Sequence, residues 1–388
     1  MFKLRSKRDC CGCLACVQVC PKQCLRIAED SQGFIYPIFD QQSCIDCGLC
    51  DKVCPYQNTN INNKPLRVYG AKNRNENERL KSSSGGIFCL LADKTIESGG
   101  VVFGARFDIN WNIVHDYSES RHGINQFLGS KYVQSYIGNT FRKVKEFLDD
   151  GRKVLFSGTP CQISGLRLFL RKNYNNLITV EIVCHGVPSP KVWRNYLEET
   201  KVKLKASTIL SINFRHKKYG WHSYNFSLRY INQKGKERVV FMPHSDNLFI
   251  KGYLNHLYVR PSCYNCPSKH INSMADITIG DLWGIELIDS SFDDNKGCSI
   301  VCLNTEKGEK MASEILFEHK PIDYELVKRY NPALVKSIDV DSRSESFWSS
   351  DKKTIHERIE DICGDALLLK IKKYIYKLIQ NPQIFYNE

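Results

Sequence analysis

Cys10, Cys13, Cys16 and Cys20, the last followed by Pro21, recur further along the chain as Cys44, Cys47, Cys50 and Cys54, followed by Pro55. Thiolates at this spacing hold a cubane of iron and sulfide, a group that moves single electrons. Three ligands come from one tight loop and the fourth from the other repeat. The expected sets are therefore Cys10, Cys13, Cys16 and Cys54 for one 4Fe–4S cluster, and Cys44, Cys47, Cys50 and Cys20 for the other. Zinc also accepts paired C-x-x-C ligands. It does not account for a third regularly spaced cysteine, a fourth before proline, and the duplication of the whole pattern. Cys11 and Cys24 fall outside the spacing and read as bystanders.

The elements that carry these residues follow from the rest of the chain. Residues 1–57 read as a two-cluster ferredoxin-like module, with Gly33–Pro37 as a short strand between the repeats. Asn58–Lys64 is polar and Asn-rich and reads as a linker. Strands are expected at Val101–Ala105, Ile113–Tyr117, Val154–Phe156 and Leu177–Val183, and helices at Thr140–Leu148, Cys161–Leu170 and Lys191–Leu204. Such alternation argues an α/β layer. Ile209–Arg215, Tyr224–Ile231 and Arg238–Phe241 read as an antiparallel meander. The expected fold class is α+β/α/β: a ferredoxin-like module followed by a mixed-sheet, helix-flanked domain in two parts, 66–150 and 151–340, and a helical tail, 341–388.

With 388 residues the chain is long enough for two or three domains. No apolar run reaches membrane-spanning length. Met1–Arg5 leads straight to cysteines without an apolar segment, so a cytoplasmic, reducing compartment is expected. The net charge of +13 suits an acidic partner or phosphate-bearing ligands. No helix-turn-helix or RNA-binding signature accompanies it, and nucleic acid is not expected as a partner.

Cys161, Cys184 and the pair Cys263-x-x-Cys266 form a second constellation. Cys161 and Cys184 each follow an expected buried strand. If those strands are neighbours in a parallel sheet, both thiols lie on the edge where open α/β sheets bind ligands. Spacing alone leaves a third metal site and a set of buried free cysteines both open. Cys89, Cys298, Cys302 and Cys363 read as structural, with Cys298-x-x-x-Cys302 as a redox candidate.

Lys81–Phe88, Gly129–Tyr132, Gly158–Gln162, Cys184–Pro188, Cys263–Cys266 and Asp276–Gly284 together resemble the beta subunit of coenzyme F-420 hydrogenases and dehydrogenases, over about residues 66–340. The resemblance implies an FAD, hydride exchange at the flavin, and a 4Fe–4S cluster on Cys161, Cys184, Cys263 and Cys266. The wider family includes ferredoxin-dependent reductases of the chlorophyll pathway and bacterial members tied to surface-polysaccharide synthesis. Those bacterial members often carry an N-terminal ferredoxin module.

Ser82, Ser83, Ser84, Gly85 and Gly86 precede an apolar helix, where free N–H groups and the helix dipole favour phosphate. Serine capping explains the same residues, and the resemblance tips the balance to FAD. Lys131 is a candidate for pyrophosphate or ring contact, with Thr159 and Asp281 also assigned to the cofactor. His185 and Lys131 are the catalytic candidates, His185 as a proton donor or a partner of cluster sulfide. The basic, aromatic run Arg215–Tyr224 reads as a substrate or partner contact, against the alternative of an exposed hairpin tip. Apolar residues at helical spacing over 367–379, interleaved with lysines, read as a helix packed on the protein, at a homo-oligomer contact, or on an anionic membrane at the inner face.

The expected function is that of an iron–sulfur flavoprotein oxidoreductase. Electrons pass from ferredoxin or another low-potential donor through the clusters to FAD and an organic substrate, such as a nucleotide sugar or lipid-linked sugar. The rival readings are a coenzyme F-420 oxidoreductase, a non-catalytic electron-transfer subunit, and a structural metal-binding protein.

Overall fold

The computed structural model describes residues 6–58 and 64–364. The N-terminal module contains β1 (Leu25–Glu29) and β2 (Ile35–Phe39), paired as an antiparallel hairpin, and two short helices, Ala15–Val19 and Leu49–Lys52. The sequence shows only the second strand clearly, because β1 exposes most of its residues. The Asp30 carboxylate accepts from the Gln32 and Phe34 N–H groups and closes the turn.

Eight strands form the main sheet: β3 (Arg67–Asn73), β4 (Val101–Phe107), β5 (Ile113–Ser118), β6 (Val154–Gly158), β7 (Leu177–Ile182), β11 (Ile277–Asp281), β12 (Ser299–Leu303) and β13 (Phe317–Pro321). Their order is β13-β3-β12-β11-β7-β6-β4-β5. The central run β4-β6-β7-β11 is parallel, and β5 and β12 flank it antiparallel. Between β7 and β11 the chain forms a separate antiparallel meander, β8 (Ala206–His216), β9 (Asn225–Asn232) and β10 (Glu237–Pro243).

Both faces of the parallel strands are covered, so β6 is buried at every position. Alternation divides its side chains between the faces. Val154 and Phe156 pack with Phe141, Val144, Ile163 and Leu166 of helices Thr140–Asp149 and Pro160–Leu170. Leu155 faces the opposite layer, with Ile87 and Leu91 of helix Ile87–Glu97. β4 from the 66–150 part pairs with β6 from the 151–340 part, so the two parts share one sheet.

The module docks onto the first of these layers. Cys11, Cys13, Ala15 and Val53 belong to the same apolar cluster as Phe141, Phe156 and Ile163. Arg142 Nε donates to the Gln18 carbonyl (2.8 Å), Tyr56 Oη to the Ser262 carbonyl (2.7 Å), and Lys191 Nζ to the Ser31 carbonyl (3.0 Å). An Arg194–Glu29 ion pair (2.7 Å) lies at the rim.

Helices Arg343–Ser349 and Ile355–Cys363 begin the tail. The pattern at 367–379 lies outside the described residues. Among the described residues no helix is long and apolar enough to cross a membrane.

Candidate iron–sulfur and cofactor sites

The cross-repeat ligand sets come together in space. Cys20, Cys44, Cys47 and Cys50 line one cavity at the protein surface, where Cys47 is exposed. Cys24 lines it too, its Sγ 3.2 Å from that of Cys20. In the other set, burial raises the Cys16 pKa first, and the neighbouring charges of Cys10 and Cys54 add to it. The adjacent Cys13 is buried and packs against helix Pro160–Leu170. There Gly165 makes room: a Cβ at this position would lie 2.9 Å from Cys13 Sγ and 3.0 Å from Cys13 Cβ. Gly165→Ala is therefore expected to displace Cys13 and cost the chain about four irons while the helix persists. Iron analysis beside far-ultraviolet circular dichroism checks this, and full iron content would refute it.

The third constellation also converges. β6 and β7 are parallel neighbours in register, Gly158 opposite Glu181. Their carboxyl ends lead to Cys161, in the first turn of helix Pro160–Leu170, and to Cys184, just past β7. Cys263 lies in the short helical turn Pro261–Asn265, and Cys266 follows it. All four line one cavity of roughly 450 Å³, open solvent at its mouth included. Cys11 lines the same cavity, and Cys24 lines the surface one, although both fall outside the ligand spacing.

Burial raises the pKa of Cys184 and Cys263 and pushes Cys266 up to about 12. For Cys161 the Cys11 thiol contributes most, then burial. Four part-buried thiols that resist ionisation fit a cationic iron core, whose charge would stabilise them as thiolates. Two buried cations flank them. Lys269 Nζ donates to the Cys184 and Ala333 carbonyls, both at 2.5 Å. The Arg260 guanidinium is wholly buried, 4.3 Å from the Tyr36 ring centroid, and donates to the Cys10 carbonyl (2.7 Å) and to Gln134 Oε1 (2.9 Å).

His185 turns to a different neighbour. Its Nε2 lies 2.9 Å from His256 Nε2, and His256 Nδ1 is 3.2 Å from the Asp339 carbonyl. Burial, then His256 and Lys269, pulls the His185 pKa down to about 4. If Asp339 accepts from His256 Nδ1–H, a neutral His256 has only its Nε2 lone pair left and accepts from His185.

The segments assigned to the cofactor meet, though most of their polar atoms bond within the protein. The Ser130 N–H donates to Ser83 Oγ (2.6 Å), joining the Ser82–Gly86 turn to the Gly129–Tyr132 loop. Ser82 Oγ donates to the Glu78 carbonyl and Ser84 Oγ to the Cys298 carbonyl, as capping and loop serines do. Gly85 packs between strands, since a Cβ there would sit 2.3 Å from the Ala71 carbonyl oxygen. Lys131 Nζ is held by the carbonyls of Phe127, Leu128 and Gly129, with burial lowering its pKa to about 7. Thr159 touches Cys161 through Oγ1 (3.4 Å), on the third-cavity side.

Asp281 is tied to a residue from the meander. It accepts from Arg215 (2.8 and 3.1 Å) and from Trp221 Nε1 (2.9 Å). The Arg215 guanidinium is buried 4.1 Å from the Tyr224 ring, and Trp221 stacks on Trp283 at 4.8 Å. Lys217 Nζ reaches the Ser84 and Arg79 carbonyls. The basic, aromatic run is thus partly interior: Arg215, Lys217 and Trp221 are buried, and Tyr219 is exposed. Cys298 and Cys302 are both buried, four residues apart at an extended strand, and about 13 Å separates them, too far for a dithiol pair.

The fold and the duplicated cysteine module define an iron–sulfur electron-transfer protein of oxidoreductase type. Residues 151–325 match the family model for the C terminus of the coenzyme F420 hydrogenase/dehydrogenase beta subunit, and residues 9–58 match that of the 4Fe-4S dicluster domain. Over these two stretches the chain is similar to the coenzyme F420 hydrogenase/dehydrogenase beta subunit and to two-cluster 4Fe-4S modules. A chain of the xenon-derivatised F420-reducing [NiFe] hydrogenase complex from Methanosarcina barkeri is similar at 20% identity and a TM-score of 0.46, over 70% of this chain and 90% of that one. A search of curated proteins finds no match.

Proposed function

We propose that this protein is a reductase that receives single electrons at its N-terminal module and delivers them, through a third 4Fe–4S site on Cys161, Cys184, Cys263 and Cys266, to an FAD and an organic substrate. The observation that carries the reading is the convergence of those four thiols in one cavity against which the ferredoxin module is docked. The clusters would supply one-electron transfer, and FAD would supply the change from single electrons to hydride. The chain's own part is to hold both. Cys161 and Cys184 are fixed by the ends of adjacent strands. Arg260 and Lys269 place positive charge beside the thiols, which favours the reduced, more negative state of a bound cluster.

For the flavin, support comes from the contact between the Ser82–Gly86 turn and the Gly129–Tyr132 loop. The N-terminus of helix Ile87–Glu97 suits a pyrophosphate. The substrate class in this reading is a nucleotide sugar or lipid-linked sugar, the donor is ferredoxin or a similar low-potential protein, and the site of action is the cytoplasm or its membrane face.

Iron and flavin analysis of anaerobically purified protein tests the reading. The expected result is about twelve irons and one FAD per chain. About eight irons and no flavin would overturn it in favour of a plain electron-transfer subunit.

A further inference from the structure

One thiol joins two ligand sets. Cys11 follows Cys10 in the chain, lies in one apolar cluster with Cys13 against which Cys161 packs, and lines the third cavity together with Cys161. Cys13 belongs to the first module set and Cys161 to the third cavity. The contact is built rather than incidental. Cys11 is buried, and its carbonyl accepts from Gln134 Nε2 at 3.0 Å. Gln134 Oε1 accepts from Arg260, which also donates to the carbonyls of Cys10 (2.7 Å) and Ile35 (3.0 Å) and points Nη2 at Cys10 Sγ (3.7 Å). The bland alternative is a small buried side chain filling space. It does not account for a thiol placed at once in the cluster of one candidate ligand and in the cavity of another, or for a buried cation fixing the backbone beside that thiol. The other module set shares no lining residue with the third cavity and opens at the surface.

We propose that Cys11 is the coupling residue between the first ferredoxin site and the third cavity. The electron route then runs from the surface set (Cys20, Cys44, Cys47, Cys50) to the Cys10–Cys13–Cys16–Cys54 set, and on past Cys11 to Cys161 at the third cavity. The inference rests on the reading that the third cavity holds a cluster. Per transfer, one electron supplied by a low-potential one-electron donor leaves the first cluster, which is oxidised by one unit. The third is reduced by one unit; no bond forms and no proton moves. Tunnelling decays more steeply through empty space than through bonded or contacting atoms, so deleting the bridging sulfur lengthens the costly part of the path.

The experiment uses the full chain as wild type, Cys11→Ala and Cys11→Ser. Iron content is measured, then freeze-quench EPR follows each cluster after mixing with dithionite. In both variants the expected results are about twelve irons and normal reduction of the module clusters. Reduction at the third site should slow by about an order of magnitude in Cys11→Ala and by less in Cys11→Ser, which keeps a bridging atom. Third-site reduction at the wild-type rate in Cys11→Ala overturns the proposal. So does loss of about four irons in both variants, which would make Cys11 a ligand. A wild type holding about eight irons instead overturns the underlying third-site reading, and the inference falls with it.

Discussion

Cys161→Ala is expected to lose about four of about twelve irons per chain and to keep the clusters of the N-terminal module. Cys161 sits in the first turn of helix Pro160–Leu170, directly after Pro160. Alanine is the best helix former, and the apolar residues that anchor this helix, Ile163, Leu166 and Leu170, are untouched. The substitution removes one thiol from the cavity and trims a side chain that only edges the apolar cluster. Iron lost by this variant reports ligation rather than unfolding. The measurement is iron per chain and EPR of the reduced protein, beside a thermal melt. Wild-type iron content in Cys161→Ala would remove this residue from the ligand set.

The largest stability effect is expected at Asp276, which lines neither thiol cavity. Its carboxylate is 1% exposed and ties three elements together. Oδ2 accepts from the Thr179 N–H (2.8 Å) and Oγ1 (2.9 Å) on β7 and from Arg167 Nη2 (2.6 Å) on the cysteine-bearing helix. Oδ1 accepts from Thr305 Oγ1 (2.9 Å), which caps helix Glu306–Ser313. Removing the carboxylate leaves the mostly buried Arg167 without its counter-charge. Breaking such a pair costs about 3–5 kcal/mol. Asp276→Ala is expected to lose stability of that order, seen as a lower urea midpoint under anaerobic conditions. Asp276→Asn, which keeps the shape and loses the charge, should recover only part of it. A midpoint for Asp276→Ala within error of wild type would show that the network contributes little.

Much of the fold and of the thiol sites is legible in the sequence, and what is legible has a physical pattern. The module cysteines are readable because their spacing is local: each loop presents three thiols whatever the rest of the chain does. The strands of the parallel core are readable as short apolar runs, and β6 and β7 lie within two residues of the expected bounds. The third thiol cluster is readable only conditionally, since it requires β6 and β7 to be parallel neighbours. That condition holds, and the ring closes with Cys263 and Cys266.

What escapes the sequence depends on contacts between residues far apart in the chain. Arg260 carries no local signal, yet it reaches back to Cys10. Arg215 sits in a charged run, and such runs are mostly exposed. It is buried because Asp281, from a distant strand, neutralises it. Ser82, Ser84 and Lys131 have side chains suited to a phosphate, but each bonds to a nearby or opposing carbonyl. Cys11 falls outside the ligand spacing and so reads as a bystander, although its place beside a ligand sets it next to two sites at once.

The docking of the module on helix Pro160–Leu170 bears on how the chain can be rearranged. Cys11 and Tyr56 from the module form part of the wall of the cavity whose other thiols come from the rest of the chain. The N-terminal segment is therefore not a portable attachment, separable at the linker that follows it. A transplanted module would have to present a small side chain opposite Gly165, a thiol-sized one at position 11, and a hydroxyl that reaches the Ser262 carbonyl. The two halves form one fitted pair and are constrained to change together.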